Sequence, residues 1–178
     1  MFSSEFWLYI FIGLILLNFI FSSVLEYVND KNWNDEIPDL LKDYYDKKKY
    51  SAAKDYKKAR GRISLISSSL SITITLIILI TGFYGYVSDY IYTMFSSPFL
   101  HSAIFFLFFY FLNMLVSIPI NYYSTFIIEE KFGFNKTTKK TFLADILKGT
   151  MMSILIGGLL LATAILILNY FGEGFWFW

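Results

Sequence analysis

Residues 149–172 read GTMMSILIGGLLLATAILILNYFG and contain no charged side chain. About 20 apolar residues in a helix are enough to cross a hydrocarbon core of roughly 30 Å. Three further stretches, 6–25, 63–88 and 90–128, are also free of charge and at least as long as that requirement. The pattern predicts an all-α fold, a polytopic integral membrane protein with about four transmembrane helices and short amphipathic cytoplasmic helices.

The composition of the 178-residue chain excludes several classes of protein. Its residues are 56% hydrophobic and 16% charged, whereas soluble domains have about 45–50% and roughly 25%. There is no cysteine, and His101 is the single histidine, so the usual His and Cys ligands of a zinc site are lacking. The net charge of +1 gives no indication of nucleic-acid binding.

The positions of the charges predict the topology. We expect spans at about 6–25, 63–87, 99–128 and 150–171, with loops at about 26–62 and 129–149. All 15 basic residues lie in these two loops, ten in the first and five in the second. Both loops follow odd-numbered spans, so the positive-inside rule predicts that they are cytoplasmic and that both chain ends lie outside.

Several local features refine this outline. Pro38 is suited to the first turn of a helix in the first loop, and Ser51 is a possible cap for the segment that runs into the second span. The tyrosine-rich residues 84–98 predict a turn at the outer interface, where His101 follows. The third span is too long for the bilayer, and Pro119 offers a kink.

Polar residues within the spans favour packing over transport. The second span carries hydroxyl side chains spaced by 4, 3 and 4 residues, which places them on one helix face: Ser64, Ser68, Ser71 and Thr75. Such a stripe is typical of close helix packing, and interhelical hydrogen bonds suffice to explain Asn18, Asn113 and Asn169. Because the spans contain no Asp, Glu, Lys or Arg, a small transporter is disfavoured.

Single residues of the second loop predict where the flanking helices end and begin. Gly133 allows the turn that ends the third helix, and Asn135 tolerates turn conformations. Thr137 or Thr138 can cap a short amphipathic helix leading into the fourth span.

The amino-acid sequence of this loop resembles that of a known family. The run FIIEEKFGFNKTTKKTFLADILKG (126–149) is similar to the hallmark loop of the type I CAAX prenyl endopeptidases, which are integral-membrane zinc proteases. The stretches IPDLLKDYY and KKKYSAAKDYKKAR of the first loop, and SIPINYYSTF (117–126), resemble the same family. The resemblance covers essentially all 178 residues.

The resemblance implies a barrel of membrane helices around a chamber, in which an HExxH helix and a later Glu hold zinc. None of those residues matches a position here, so no catalytic, cofactor-binding or metal residue is assigned. We expect residues 1–178 to be the N-terminal membrane region of such a protease, without its catalytic half, inactive alone and without bound zinc. The implied partners are the lipid bilayer, a C-terminal metalloprotease segment, and membrane-associated or prenylated substrates of the whole enzyme.

The stretch of residues 126–149 is called the motif loop below. Eight of its residues are candidates for a structural or bracing role: Glu129, Glu130, Phe132, Gly133, Phe134, Asn135, Thr138 and Asp145. Two interpretations stay open. The polar members either brace the metalloprotease segment by hydrogen bonds and ion pairs, or only cap and solvate the loop. The sequence also leaves open a free-standing four-helix scaffold or interaction subunit, and leaves the membrane as endoplasmic reticulum or bacterial plasma membrane.

Overall fold

The computed structural model describes residues 3–33, 36–37, 43–44 and 46–172. Five α-helices and one π-helical segment are present in these residues: α1 Ser4–Lys31, α2 Lys47–Ile80, α3 Phe83–Met94, α4 Pro98–Tyr123, the π segment Ser124–Glu129, and α5 Lys139–Phe171. The predicted helix start at Pro38 lies outside the described residues.

The predicted all-α class is confirmed. Within the described ranges, four helical stretches are long and apolar enough to cross a membrane: Glu5–Lys31, Lys47–Ile80, Pro98–Glu129 and Lys139–Phe171. A helix suits this environment because it forms its backbone hydrogen bonds within one segment, as hydrocarbon requires.

Side-chain caps set the beginnings of three helices. Ser3 accepts a hydrogen bond from the Phe6 amide at the start of α1, and Thr138 accepts one from Thr141 at the start of α5. The prediction of a cap at Ser51 is wrong: the Asp46 carboxylate accepts from the Lys49 amide at 2.7 Å, and α2 begins at Lys47. Asp is among the strongest N-cap residues, so it defines the start five residues earlier.

The second span ends earlier than residue 87. Its helix stops at Ile80, and Gly82 takes a φ of 68°, which side-chain-bearing residues rarely adopt. The chain turns at this glycine, and residues 84–98, predicted as a turn, instead hold the 12-residue helix α3. Val87 and Ile91, one helical turn apart, are its buried residues.

Long helices extend into both predicted loops. Helix α1 continues to Lys31 and α2 begins at Lys47, so residues 32–46 connect them. The amphipathic helix expected after residue 138 is not separate, because α5 runs without a break from Lys139 to Phe171. Leu143 and Leu147, on its expected apolar face, are 65% and 63% exposed.

The chain divides into two compact units. The first comprises Met1–Phe83 with Ser117–Asn135. In it α1 and α2 are antiparallel: Lys57 lies 3.3 Å from Asp30, and one turn further along α2 a Cβ on Gly61 would lie 3.0 Å from the Glu26 carboxylate.

The second unit comprises Tyr84–Val116 with Lys136–Trp178. His101 Nε2 lies 3.0 Å from the carbonyl oxygen and 3.2 Å from the hydroxyl of Ser88, which ties α4 to α3. The Tyr84 ring packs on Phe109 with centroids 4.6 Å apart. Between α4 and α5, the Tyr110 hydroxyl donates to Thr150 Oγ1 at 3.3 Å.

Burial is sparse, as expected for helices whose apolar surface faces lipid. Among the described residues the buried hydrophobic side chains are Ile78, Val87, Ile91 and Ile128. Hydrocarbon tails are as apolar as leucine, so membrane helices gain little from hiding apolar surface against one another and associate through packing and polar contacts.

Candidate functional site

A polar groove lies between α1 and α2 in the first unit. It has a volume of about 340 Å³, and its lining is Ile15, Asn18, Phe19, Ser22, Ser23, Glu26, Leu65, Ser67, Ser68, Ser71, Ile72 and Thr75. Asn18, Ser22 and Glu26 follow each other at intervals of four residues, so they share one face of α1. From Glu26 to Ile15 the groove extends about 16 Å along the helix, roughly half the thickness of a hydrocarbon core.

The polar groups of this groove are largely unpaired within the protein. In the described part of the chain, Asn18, Ser68 and Ser71 make no side-chain hydrogen bond, whereas the Thr75 hydroxyl donates to the Ser71 carbonyl at 2.9 Å. Leaving hydroxyl and amide groups without partners in hydrocarbon costs several kcal/mol. Water in the groove would satisfy them.

Three of the four residues of the predicted hydroxyl stripe therefore border α1, but they line an open groove and do not pack tightly against that helix. Ser68, Ser71 and Thr75 line the groove together with Ser67. The serines are too short to fill the space that lies beyond Gly61, where a Cβ would lie 3.0 Å from the Glu26 carboxylate.

The motif loop begins with a defined helix end. Phe134 N–H donates to the Glu129 carbonyl at 2.8 Å, and Gly133 N–H donates to the Glu130 carbonyl at 3.0 Å. Gly133 has a φ of 75°. These two hydrogen bonds and the left-handed glycine form a Schellman motif, which satisfies carbonyl groups at the end of the helix. The predicted role of Gly133 in ending the third helix is confirmed.

The turn of residues 129–135 rests on one face of α2. The Tyr56 ring lies between two phenylalanines, with centroids 5.4 Å from Phe132 and 4.7 Å from Phe134. One helical turn further along, Arg60 Nη1 lies 2.7 Å from Glu129 Oε1.

The eight candidate residues are thus divided between the two units. Six of them, 129, 130 and 132–135, lie in the turn, where Asn135 Nδ2 also donates to Glu130 Oε2 at 3.0 Å. Thr138 caps α5, as one of the two predicted alternatives. Asp145 is exposed on α5 and has no ion pair among the described residues.

Sequence reasoning missed the residues that receive the turn. Tyr56 and Arg60 lie in the first-loop stretch KKKYSAAKDYKKAR, but no contact with the motif loop was predicted for them, although their i, i+4 spacing places them on one helix face. Ser22 and Glu26 of the groove were also missed. The spacing of four from Asn18 to Ser22 to Glu26 was the available signal.

The residues present do not fit a zinc ion. In the described ranges no three His, Cys, Asp or Glu side chains cluster in a way that could hold a metal, and the sequence has one histidine. His101 is engaged with Ser88, as described above. No chemical step is therefore assigned to a metal on these residues.

A larger cleft in the second unit is apolar. It has a volume of about 750 Å³ and lies between α4 and α5, lined by residues such as Phe106, Leu107, Gly157 and Leu161. Catalytic pockets combine an apolar wall with convergent polar groups, and this lining offers only Tyr110 and Ser153 as polar side chains. A space of this kind in a bilayer suits hydrocarbon.

Helices of this length and polarity, with a half-membrane polar groove, define a multi-pass α-helical integral membrane protein. A family model described as CAAX prenyl protease N-terminal, five membrane helices, matches residues 26–178. The chain therefore belongs to the CAAX prenyl protease N-terminal family, and the resemblance of its motif loop is confirmed.

Individual proteins with CAAX prenyl protease names are also similar to this chain. A CAAX prenyl protease 1 homolog from Dictyostelium discoideum is 28% identical over 178 residues, covering 94% of this chain and 41% of the relative. A probable CAAX prenyl protease 1 from Schizosaccharomyces pombe is 32% identical over 157 residues, covering 78% of this chain and 32% of the relative. The crystal structure of S. mikatae Ste24p matches with a TM-score of 0.83 and 27% identity, covering 96% of this chain and 42% of that one. The chain thus spans about two fifths or less of these relatives.

Proposed function

We propose that this chain forms part of the chamber wall of a membrane-embedded CAAX prenyl endopeptidase, with the groove between α1 and α2 facing water inside the chamber. The zinc and the HExxH residues of such an enzyme come from residues other than these 178. The substrates are proteins whose prenylated C-termini are held at the membrane. The chain alone does not cleave them.

One observation carries the proposal. Among the residues that the structure describes, Asn18, Ser68 and Ser71 have no side-chain hydrogen-bond partner, and they line a groove that extends about halfway through a bilayer. Such groups are stable at membrane depth only where they meet water or another polar surface. A chamber that admits a polar peptide backbone requires a wall of this chemistry.

The charge distribution supports an orientation. The basic residues near the α1–α2 connection and near the start of α5 lie on the cytoplasmic side, as the positive-inside rule requires. The Glu26 end of the groove then faces the cytoplasm. The relatives named above come from eukaryotes, which favours the endoplasmic reticulum over a bacterial plasma membrane.

Cysteine labelling tests the wet groove directly, because the chain has no cysteine of its own. Ser22, Ser68 and Ser71 are replaced singly by cysteine in membranes, and a membrane-impermeant maleimide is added from the cytoplasmic side. We expect all three to react. Ile66 and Leu70, exposed on α2 outside the groove, are the matched controls, and their cysteine variants should stay unreactive.

A chimera tests the enzymatic context. The matching region of the S. pombe relative is replaced by this chain, and cleavage of a prenylated peptide is measured. Activity in the chimera, with none in the isolated chain, supports a wall region that serves a protease. Unreactive groove cysteines together with an inactive chimera would instead favour a free-standing scaffold.

A further inference from the structure

We propose that Tyr56 and Arg60 are positioning residues: together they hold the turn of residues 129–135 on α2, and so set where the connection from α4 to α5 begins. The importance of this turn for cleavage rests on the proposed function. The holding itself does not, and it is tested separately below.

The two residues act on different parts of the turn. Arg60 binds the Glu129 carboxylate, which belongs to the last residue of the π segment, at 2.7 Å. Tyr56 contacts the rings of Phe132 and Phe134, which lie on either side of Gly133. A rigid helix with two contacts one turn apart fixes both the position and the direction of the turn.

The turn is shaped to present both rings. The positive φ of Gly133 reverses the chain between its two neighbours, so that Phe132 and Phe134 reach the same tyrosine. A hydrophobic contact at the residue after the glycine commonly accompanies a Schellman motif within the helix itself. Here that residue, Phe134, contacts α2.

The π segment places Glu129. Ser124–Glu129 has the i to i+5 hydrogen-bond pattern of a π-helix. This pattern is rare in proteins, and where it occurs it is frequently at a functional site. Relative to an uninterrupted α-helix it shifts the following residues by one position, or about 100° around the axis. Glu129 ends this segment and meets Arg60, so the irregular hydrogen bonding coincides with the contact.

The two contacts differ in strength. The side chains of Arg60 and Glu129 are 49% and 24% exposed, and ion pairs exposed to solvent are weak. Loss of this pair should therefore raise the fraction of molecules in which the turn has come away from α2 by about twofold to fivefold. The tyrosine contacts two rings, and aromatic pairs contribute more than an exposed ion pair, so its loss should raise that fraction by about tenfold or more.

Hydrogen exchange of the full chain in lipid nanodiscs measures this opening. The reporters are the amides of residues 133–135, which hydrogen bond to the Glu129 and Glu130 carbonyls, and exchange rates report local opening. The variants are Arg60→Glu, Glu129→Arg, the double charge swap, Tyr56→Ala and Tyr56→Phe. Lys58→Glu, an equal charge reversal at an exposed site two residues from Arg60, is the matched control.

We expect faster exchange in Arg60→Glu and Glu129→Arg, recovery in the double swap, and a larger acceleration in Tyr56→Ala with recovery in Tyr56→Phe. Lys58→Glu and the amides of α5 should not change. If Arg60→Glu and Tyr56→Ala leave the 133–135 amides as protected as in the unchanged chain, the proposal is wrong. If Tyr56→Ala unfolds α2 as a whole, the charge swap decides: failure of the double variant to recover contradicts the holding role.

The enzymatic consequence is measured in the chimera described above. Arg60→Glu should lower turnover, and the double swap should restore it. If the Arg60 charge served turnover without positioning the turn, the double swap would not restore turnover. Normal turn protection with an inactive chimera would contradict the proposed function and leave the holding intact. A loosened turn with unchanged turnover would contradict the positioning role.

Discussion

The Nζ atom of Lys57 lies 3.3 Å from the Asp30 carboxylate and 4.4 Å from the centroid of the Trp33 ring. This lysine joins the end of α1 to the middle of the basic half of α2 by an ion pair and a cation–π contact. Lys54 adds a hydrogen bond to the Trp33 carbonyl at 3.3 Å. The α1–α2 pair that borders the groove is therefore joined at its basic end by lysine side chains.

Replacing Lys57 by Met should lower the free energy of unfolding by about 0.5–1 kcal/mol, because both contacts are partly exposed and each is weak. The change keeps the apolar stem and removes the charge. Circular dichroism during titration with sodium dodecyl sulfate in mixed micelles measures the loss. Lys58→Met is the control, and an equal loss in both variants would contradict the assignment.

Alanine at two glycines should act in opposite directions. Gly133→Ala forces a side chain into a φ of 75° and should cost about 1–2 kcal/mol, with Gly133→Asn costing less. In the described part of the chain, no atom apart from those of the adjacent residues lies within 4 Å of a Cβ at this position, so the cost comes from the backbone alone. Gly149→Ala, in open space inside α5, should stabilise by about 0.5–1 kcal/mol. Unfolding titrations that show the same sign for both would contradict this prediction.

The hydrogen bond from Tyr110 to Thr150 is a polar contact between α4 and α5. Tyr110→Phe and Thr150→Val should each lower stability by about 0.6 kcal/mol, the mean for such bonds in membranes, and the double variant should lose little more. Thr163→Val is the control, because the Thr163 hydroxyl donates only to its own helix, at the Leu159 carbonyl. Additive losses in a double-mutant cycle would show that the bond contributes nothing.

Glu129 and Asp145 should respond differently to charge reversal. Glu129→Lys breaks the pair with Arg60 and should loosen the turn even in the isolated chain. Asp145→Lys removes an exposed carboxylate and should leave the isolated chain unchanged, but weaken co-purification with a separately expressed metalloprotease segment of a relative. Unchanged co-purification would leave Asp145 only a solvated residue of α5.

Zinc content separates the wall role from an independent enzyme. The purified chain should contain no stoichiometric zinc by elemental analysis, because a zinc site needs three or four ligand side chains and the sequence has a single histidine. His101→Ala should not alter the result. Zinc bound one to one and removed by a chelator would contradict both the prediction and the proposed division of labour.

Much of the secondary structure could be predicted from local composition. The uncharged runs require helices in a bilayer, since a spanning backbone must satisfy its own hydrogen bonds, and four helices of that kind are present. The roles of Gly133 in ending a helix and of Thr138 as a cap could also be predicted, because a helix end and an N-cap depend on a few neighbouring residues. The start of α2 at Asp46 and the break at Gly82 were missed because several residues nearby could serve equally well.

Composition and local motifs were enough to predict the class of the protein, its four long helices and its family. Tertiary structure alone decided what the motif loop touches. Glu129 and Arg60 are 69 positions apart, and nothing in either stretch specifies the other, because pairing between helices depends on their register and distance. For the same reason the hydroxyl stripe of α2 could be placed on a face, but only the approach of α1 at Gly61 shows that this face borders a groove.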